Sequence, residues 1–180
     1  MARRLHISLR PGHALSRSEL EELWAVRRRG IELRSEIDAQ ADFAHFADIL
    51  CQSVVVGRVL DPQGRARGML AIRASWETYA DRRYRLLLPE YSFVDRQYRG
   101  HPTVAFMFLR ILLAVVRVRS RAPHLLGGFG YPTSFMRRAS WAPPLYIDGD
   151  PELPGLIAHA LERIIDIVAG DARDAQYRYL

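Results

Sequence analysis

Between Arg96 and Thr103 the chain reads RQYRGHPT, directly ahead of an apolar run that begins at Val104. Residue types in that order can bind phosphate. A helix N-terminus carries unpaired amides and partial positive charge. Gly100 lacks a Cβ and lets an oxygen approach the backbone closely. Arg96 and Arg99 add charge beside it, and Gln97 can hold the loop. His101 either contacts the phosphate or faces solvent. Pro102 suits the first turn of a helix but offers no N–H, so another amide must fill that place. An ordinary strand-turn-helix has the same outline, so the surrounding elements have to decide.

Other chemistries find less support. No His-x-x-x-His or Cys/His cluster occurs, so no metal site is expected. Ser134 and Ser140 lack a His/Asp relay, which argues against a serine hydrolase. Cys51 is the only cysteine, so no intrachain disulfide can form; it reads as a small core residue and fits a reducing cytoplasm. The 180 residues carry a net charge of +6 with no Lys and no Asn, as bacterial-type GC-rich coding would give. Such charge suits phosphorylated cofactors or an acidic carrier protein. The basic runs Arg27–Arg29 and Arg117, Arg119 and Arg121 end helices, where cations are favoured anyway, and no nucleic-acid-binding signature is present. Val104–Val116 is too short to span a bilayer and the N-terminus lacks a signal-type apolar segment, so a soluble cytoplasmic protein is expected.

The elements follow from periodicity. Leu5, Ile7 and Leu9 alternate with polar residues as a strand that Pro11-Gly12 ends. Ser16 or Ser18 caps a helix with Leu20, Leu23 and Trp24 inward; Gly30 either breaks it or is absorbed. Ala39–Gln52 repeats Phe43, Phe46, Ala47 and Leu50 at helical spacing. Ser53–Leu60 and Gly68–Trp76 flank the turn Asp61-Pro-Gln-Gly64 as a hairpin. A third strand runs from Tyr84 to Val94, with Pro89 marking a bulge or an edge. Thr103 to about Arg119 is apolar nearly all round and should be a buried helix. His124–Tyr131 reads as a buried strand, Thr133–Ala139 as a short helix and Trp141–Ile147 as a strand. Leu153, Ile157, Leu161, Ile164 and Val168 form the stripe of a last helix. The expectation is a single domain over residues 1–180, mixed α/β (α+β), with a mostly antiparallel central sheet flanked by helices and an extra C-terminal helix.

This order, with Gln97-x-x-Gly100-x-Pro102 at the start of a helix after a strand, resembles the GNAT acyltransferase superfamily. Its loop reads Gln/Arg-x-x-Gly-x-Gly/Ala, and Pro102 departs from the last position. The resemblance covers roughly residues 5 to 140. It implies acetyl-CoA or another acyl-CoA as co-substrate and no metal. The pyrophosphate would sit on amides between Gln97 and Thr103, touching Arg99, Gly100 and His101. The pantetheine arm would run along the strand ending near Val94, with the strand from Leu125 to Tyr131 as the other wall. Some relatives take acyl groups from an acyl carrier protein instead, and a non-catalytic ligand- or partner-binding protein is a second reading.

Acyl transfer to an amine needs a base for the amine proton and a donor for the leaving thiolate. The resemblance implies Glu90 as the base, with burial making it more basic; otherwise it is a surface carboxylate paired with Arg82, Arg83 or Arg85. Tyr131 is the favoured thiolate acid, with Tyr146 as the other candidate. The acceptor is a small-molecule or peptide amine of unknown identity. The last helix either covers the sheet or pairs with a second copy in a homodimer.

Overall fold

A computed structural model describes residues 5–30, 38–116, 124–126 and, near the C-terminus, 155–156, 158–160, 162–164 and 166–167. The strands are β1 (His6–Arg10), β2 (Val55–Leu60), β3 (Ala66–Tyr79), β4 (Arg82–Val94) and β5 (His124–Leu126). They form one sheet in the order β1-β2-β3-β4-β5, antiparallel throughout except for the parallel β4/β5 pair. The helices are α1 (Arg17–Gly30), α2 (Ala39–Gln52) and α3 (Pro102–Val116). The expected segments after Leu126, namely the end of the β5 strand, the short helix and the strand candidate, lie outside the described residues, as do Arg117, Arg119 and Arg121.

Local chemistry accounts for the boundaries. Ser16 caps α1 reciprocally: the Glu19 N–H donates to Ser16 Oγ at 3.3 Å, and the Ser16 N–H donates to Glu19 Oε2 at 2.9 Å. Asp38 caps α2 by accepting the Gln40 N–H at 2.9 Å. The long β3/β4 hairpin turns at Ala80 and Asp81, both with positive φ, as a two-residue turn that follows the strand twist requires. No Gly or Asn marks that turn, which is why the strands run beyond the expected limits Trp76 and Tyr84.

Alternation along β3 sends Ala71 to one face and Ile72 to the other. On the first face Leu20, Leu23 and Val26 of α1 and Phe46, Ile49 and Leu50 of α2 pack on Met69, Ala71 and Tyr91. On the second, Met107, Ile111 and Val115 of α3 cover Val55, Val59, Leu70, Ile72 and Leu87. Ala160 and Ile164 of the C-terminal helical segment bury Tyr84, Leu86 and Leu88. That segment therefore covers the sheet within its own chain.

Two expectations need correction. α3 is not buried all round: Phe106, Leu109 and Leu113 are exposed, because a single sheet contacts only one side of the helix. Cys51 is exposed at the end of α2, one residue past the buried Leu50. The Arg27–Arg29 run ends α1 as expected, with Arg27 buried and paired with Asp42 at 2.6 Å and Arg29 paired with Asp95 at 2.9 Å.

The Arg27–Asp42 pair ties α1 to α2 beneath Tyr91. Trp24 Nε1 donates to Asp42 Oδ2 at 2.6 Å, and the guanidinium lies 5.6 Å from the Phe46 ring centroid and 5.5 Å from that of Tyr91. Removing one partner of a buried pair strands the other charge. Asp42→Ala should therefore cost about 3–5 kcal/mol of folding stability. Urea denaturation checks this, and Arg27→Met in the same chain should recover part of the loss.

Candidate functional site

β4 carries the bulge that Pro89 announces. Tyr91 pairs with Ala71 and Pro89 with Ile72, which leaves Glu90 as the extra residue without a partner in the ladder. The proline removes one N–H from the ladder and the strand bends there. On the other side, the parallel pairing with β5 runs only from Arg85↔His124 to Leu87↔Leu126. The β5-facing edge of β4 from Leu88 to Val94 thus has no ladder partner among the described residues.

Glu90 sits on the face shared by α1, α2 and the C-terminal helical segment. Its Oε1 lies 2.7 Å from Nη2 of Arg73, and both side chains are about 15 % exposed. The partner lies on the adjacent strand, not among the expected Arg82, Arg83 and Arg85. A guanidinium at that distance favours the charged carboxylate and opposes the effect of burial. Arg73 has the signal of a charge inside an otherwise buried strand run, Leu70-Ala71-Ile72, but only the register shows that it meets the bulge.

After Val94 the chain makes a 3-10 turn, Arg96–Tyr98, and enters α3. Tyr98 is buried against α3, while Arg96, Gln97, Arg99 and Gly100 are exposed. Gly100 has φ +82°, which an L side chain adopts only with strain, and a Cβ there would meet nothing within 4 Å. The corner is open to solvent. Arg96 and Arg99 make no ion pair among the described residues.

The amides of this corner are largely committed. The Tyr98 N–H donates to Asp95 O at 2.8 Å, Arg99 to Arg96 O at 3.3 Å, His101 to Tyr98 O at 3.1 Å and Val104 to His101 O at 2.9 Å. The Thr103 N–H donates to Nδ1 of His101 at 3.2 Å. His101 thus caps the first turn of α3 through Nδ1. The Gly100 N–H makes no hydrogen bond among the described residues, and the Thr103 N–H is held only by a side chain that can rotate away.

Val94, Gln97, Arg99, Gly100, His101 and Thr103 therefore lie along one strand end and one helix start, with Glu90 upstream on the same strand. Tyr131 and Tyr146 lie outside the described residues. One hollow beside the start of α3, about 410 Å³, is lined by Leu5, His6, Ile7, Thr103, Phe106 and Arg110. It lies on the β1 side of α3, away from Glu90. Among the described residues no helix is long and apolar enough to cross a membrane, and no cluster of three His, Cys, Asp or Glu side chains could hold a metal ion.

The sequence matches no protein-family model and no curated protein. Its fold, however, matches solved acyltransferases. A probable N-acyltransferase from Enterococcus faecalis superposes with a TM-score of 0.55 at 15% identity, over 76% of this chain and 32% of that one. The chain thus spans about a third of that protein's length. A GNAT family N-acetyltransferase from Escherichia coli, solved with CoA, gives a TM-score of 0.53 at 18% identity over 77% of this chain and 69% of that one. An acetyltransferase from Trypanosoma brucei gives 0.52 at 17% identity, over 82% and 97% of the two chains. The fold is the GNAT acyltransferase fold, with a mixed five-stranded sheet.

Proposed function

We propose that this GNAT-fold chain is an N-acyltransferase that moves an acyl group from acyl-CoA to an amine. The observation that carries the reading is the conjunction on β4: a bulge at Glu90 and an exposed glycine with φ +82° where the strand turns into α3. The bulged stretch of β4 suits a pantetheine arm, whose amides can hydrogen-bond to strand backbone. The corner suits the diphosphate, with the Gly100 and Thr103 N–H groups as donors and Arg96 and Arg99 as exposed cations.

The acceptor amine attacks the thioester carbonyl. A C–N bond forms and the C–S bond breaks, the amine loses one proton, and the departing thiolate gains one. Glu90 is the proposed base that takes the amine proton, directly or through a water, with the Arg73 guanidinium beside its carboxylate. Tyr131 is the proposed proton source for the thiolate. The acceptor reaches Glu90 from the face between α1/α2 and the C-terminal helical segment.

Calorimetric titration with acetyl-CoA and longer acyl-CoAs tests the donor, and thiol release against a panel of amines tests the transfer. No binding of any acyl-CoA by the folded protein would remove the reading. Exposed Cys51 contributes a background equivalent in such a thiol assay, which Cys51→Ser removes.

His101 gives a more particular test. Its imidazole competes with the donor for the Thr103 N–H. His101→Ala should lower stability by about 1 kcal/mol through the lost cap. It should also tighten CoA binding by roughly twofold to tenfold, because the net worth of one hydrogen bond no longer has to be overcome. Weaker binding would mean that the ring itself holds the ligand.

A further inference from the structure

The corner at Gly100 has few apolar contacts of its own, and Tyr98 is the one residue from Arg96 to Gly100 that is buried. What holds its start is ionic. Antiparallel pairing of β3 with β4 ends at Gly68↔Val94, so Asp95 is the first residue beyond the ladder. Arg67 holds it twice. The Arg67 carbonyl accepts the Asp95 N–H at 2.8 Å, and Arg67 Nη1 donates to Asp95 Oδ2 at 3.3 Å. Arg29, from the last turn of α1, donates to the same carboxylate through Nε at 2.9 Å and Nη2 at 3.3 Å.

Arg67 is in turn fixed at its other end. Its Nε and Nη2 donate to Asp61 Oδ2 at 3.0 and 2.8 Å. Asp61 is 3% exposed and also accepts the Gln63 and Arg65 N–H groups at 2.9 and 3.0 Å. Burial alone would raise the Asp61 pKa, but these donors outweigh it and hold it at about 2. The far anchor is therefore charged across the pH range of an ordinary assay. α1 grips the same hairpin a second time, with Glu22 Oε1 accepting the Ala66 N–H at 2.6 Å.

We propose that Asp95 is a positioning residue: through Arg67 and Arg29 it clamps the start of the 96–101 corner to the β2/β3 hairpin and to α1, so that the Gly100 turn and its N–H stand ready for an anion. The chain Asp61–Arg67–Asp95–Arg29 joins three separate elements at one carboxylate that is 8% exposed. A hydrogen-bonded ion network of this geometry orients more than it stabilises. Asp95 accepts the Tyr98 N–H through its own carbonyl, so a shift of Asp95 moves the first turn of the corner directly. In its functional consequence this rests on the acyl-CoA reading, but the clamp itself can be measured without a ligand.

Asp95→Asn keeps the side chain's size and removes its charge. Amide hydrogen exchange of the free protein should speed up on the order of tenfold at Tyr98, Arg99 and His101, while Met69 and Leu70 in central β3 stay at the wild-type rate. The Kd for CoA should rise on the order of tenfold as well, since a displaced loop meets the diphosphate in poor register. Wild-type exchange at the three loop amides would overturn the clamp. A uniform rise that includes Met69 and Leu70 would overturn it too, by showing only a general role in stability. If the wild-type protein binds no CoA, the acyl-CoA reading falls and the exchange comparison still decides the clamp.

Discussion

Gly100→Glu is expected to abolish measurable CoA binding, a loss of at least about a hundredfold in Kd, while the protein stays folded. Two effects add. The backbone at Gly100 has φ +82°, where a side-chain-bearing residue costs about 1–2 kcal/mol. A Cβ there meets no neighbour, so the cost is conformational and not a clash. The new carboxylate would then stand where the diphosphate charge is to sit, between Arg96 and Arg99, and would satisfy those cations itself. Gly100→Ala separates the two effects: it carries the backbone strain without the charge and should lose only about tenfold. Titration calorimetry reads the affinities, and thermal unfolding confirms that both variants are folded. Unchanged affinity in Gly100→Glu would move the donor site elsewhere on the molecule.

Most of the framework was legible because local chemistry agreed with tertiary packing. The Leu5–Leu9 alternation, the α2 stripe and the Asp61–Gly64 turn each had one interpretation, and Pro89 inside a strand pattern pointed to the bulge. What stayed hidden depended on contacts between distant residues. Arg27, Arg28 and Arg29 look alike in sequence, yet Arg27 is buried with Asp42, Arg28 lies 5.0 Å from the Trp24 ring centroid and Arg29 reaches Asp95. Nothing short of the helix phase and the position of α2 distinguishes them. Arg67, Asp95 and Asp61 are likewise ordinary loop and turn charges until β3 and β4 are paired. The α3 stripe misled for the opposite reason: hydrophobicity all round a helix says that burial is favourable, not which side faces the sheet, and Phe106, Leu109 and Leu113 stay exposed. The corner at Gly100 was legible as a shape. The internal use of its amides was not, because the His101 cap on Thr103 is set by a rotamer.

Glu90→Gln is expected to lower kcat by about a hundredfold to ten-thousandfold with the KM for acyl-CoA nearly unchanged. The split follows from the geometry. Glu90 is the bulged residue of β4 and projects to the α1/α2 face, whereas the donor's diphosphate corner begins beyond Val94. An amide at this position preserves size and can still accept a hydrogen bond from Arg73, so the bulge should persist. It cannot take a proton, so the amine has to lose one to bulk water after the acceptor has bound. The acid limb of the rate profile, which reports the base, should disappear in the variant. Arg73→Met tests the other half of the pair. It leaves Glu90 ionisable but no longer held at 2.7 Å, so kcat should fall less than in Glu90→Gln and the acid limb should remain. A Glu90→Gln enzyme with full kcat would assign the proton to another group.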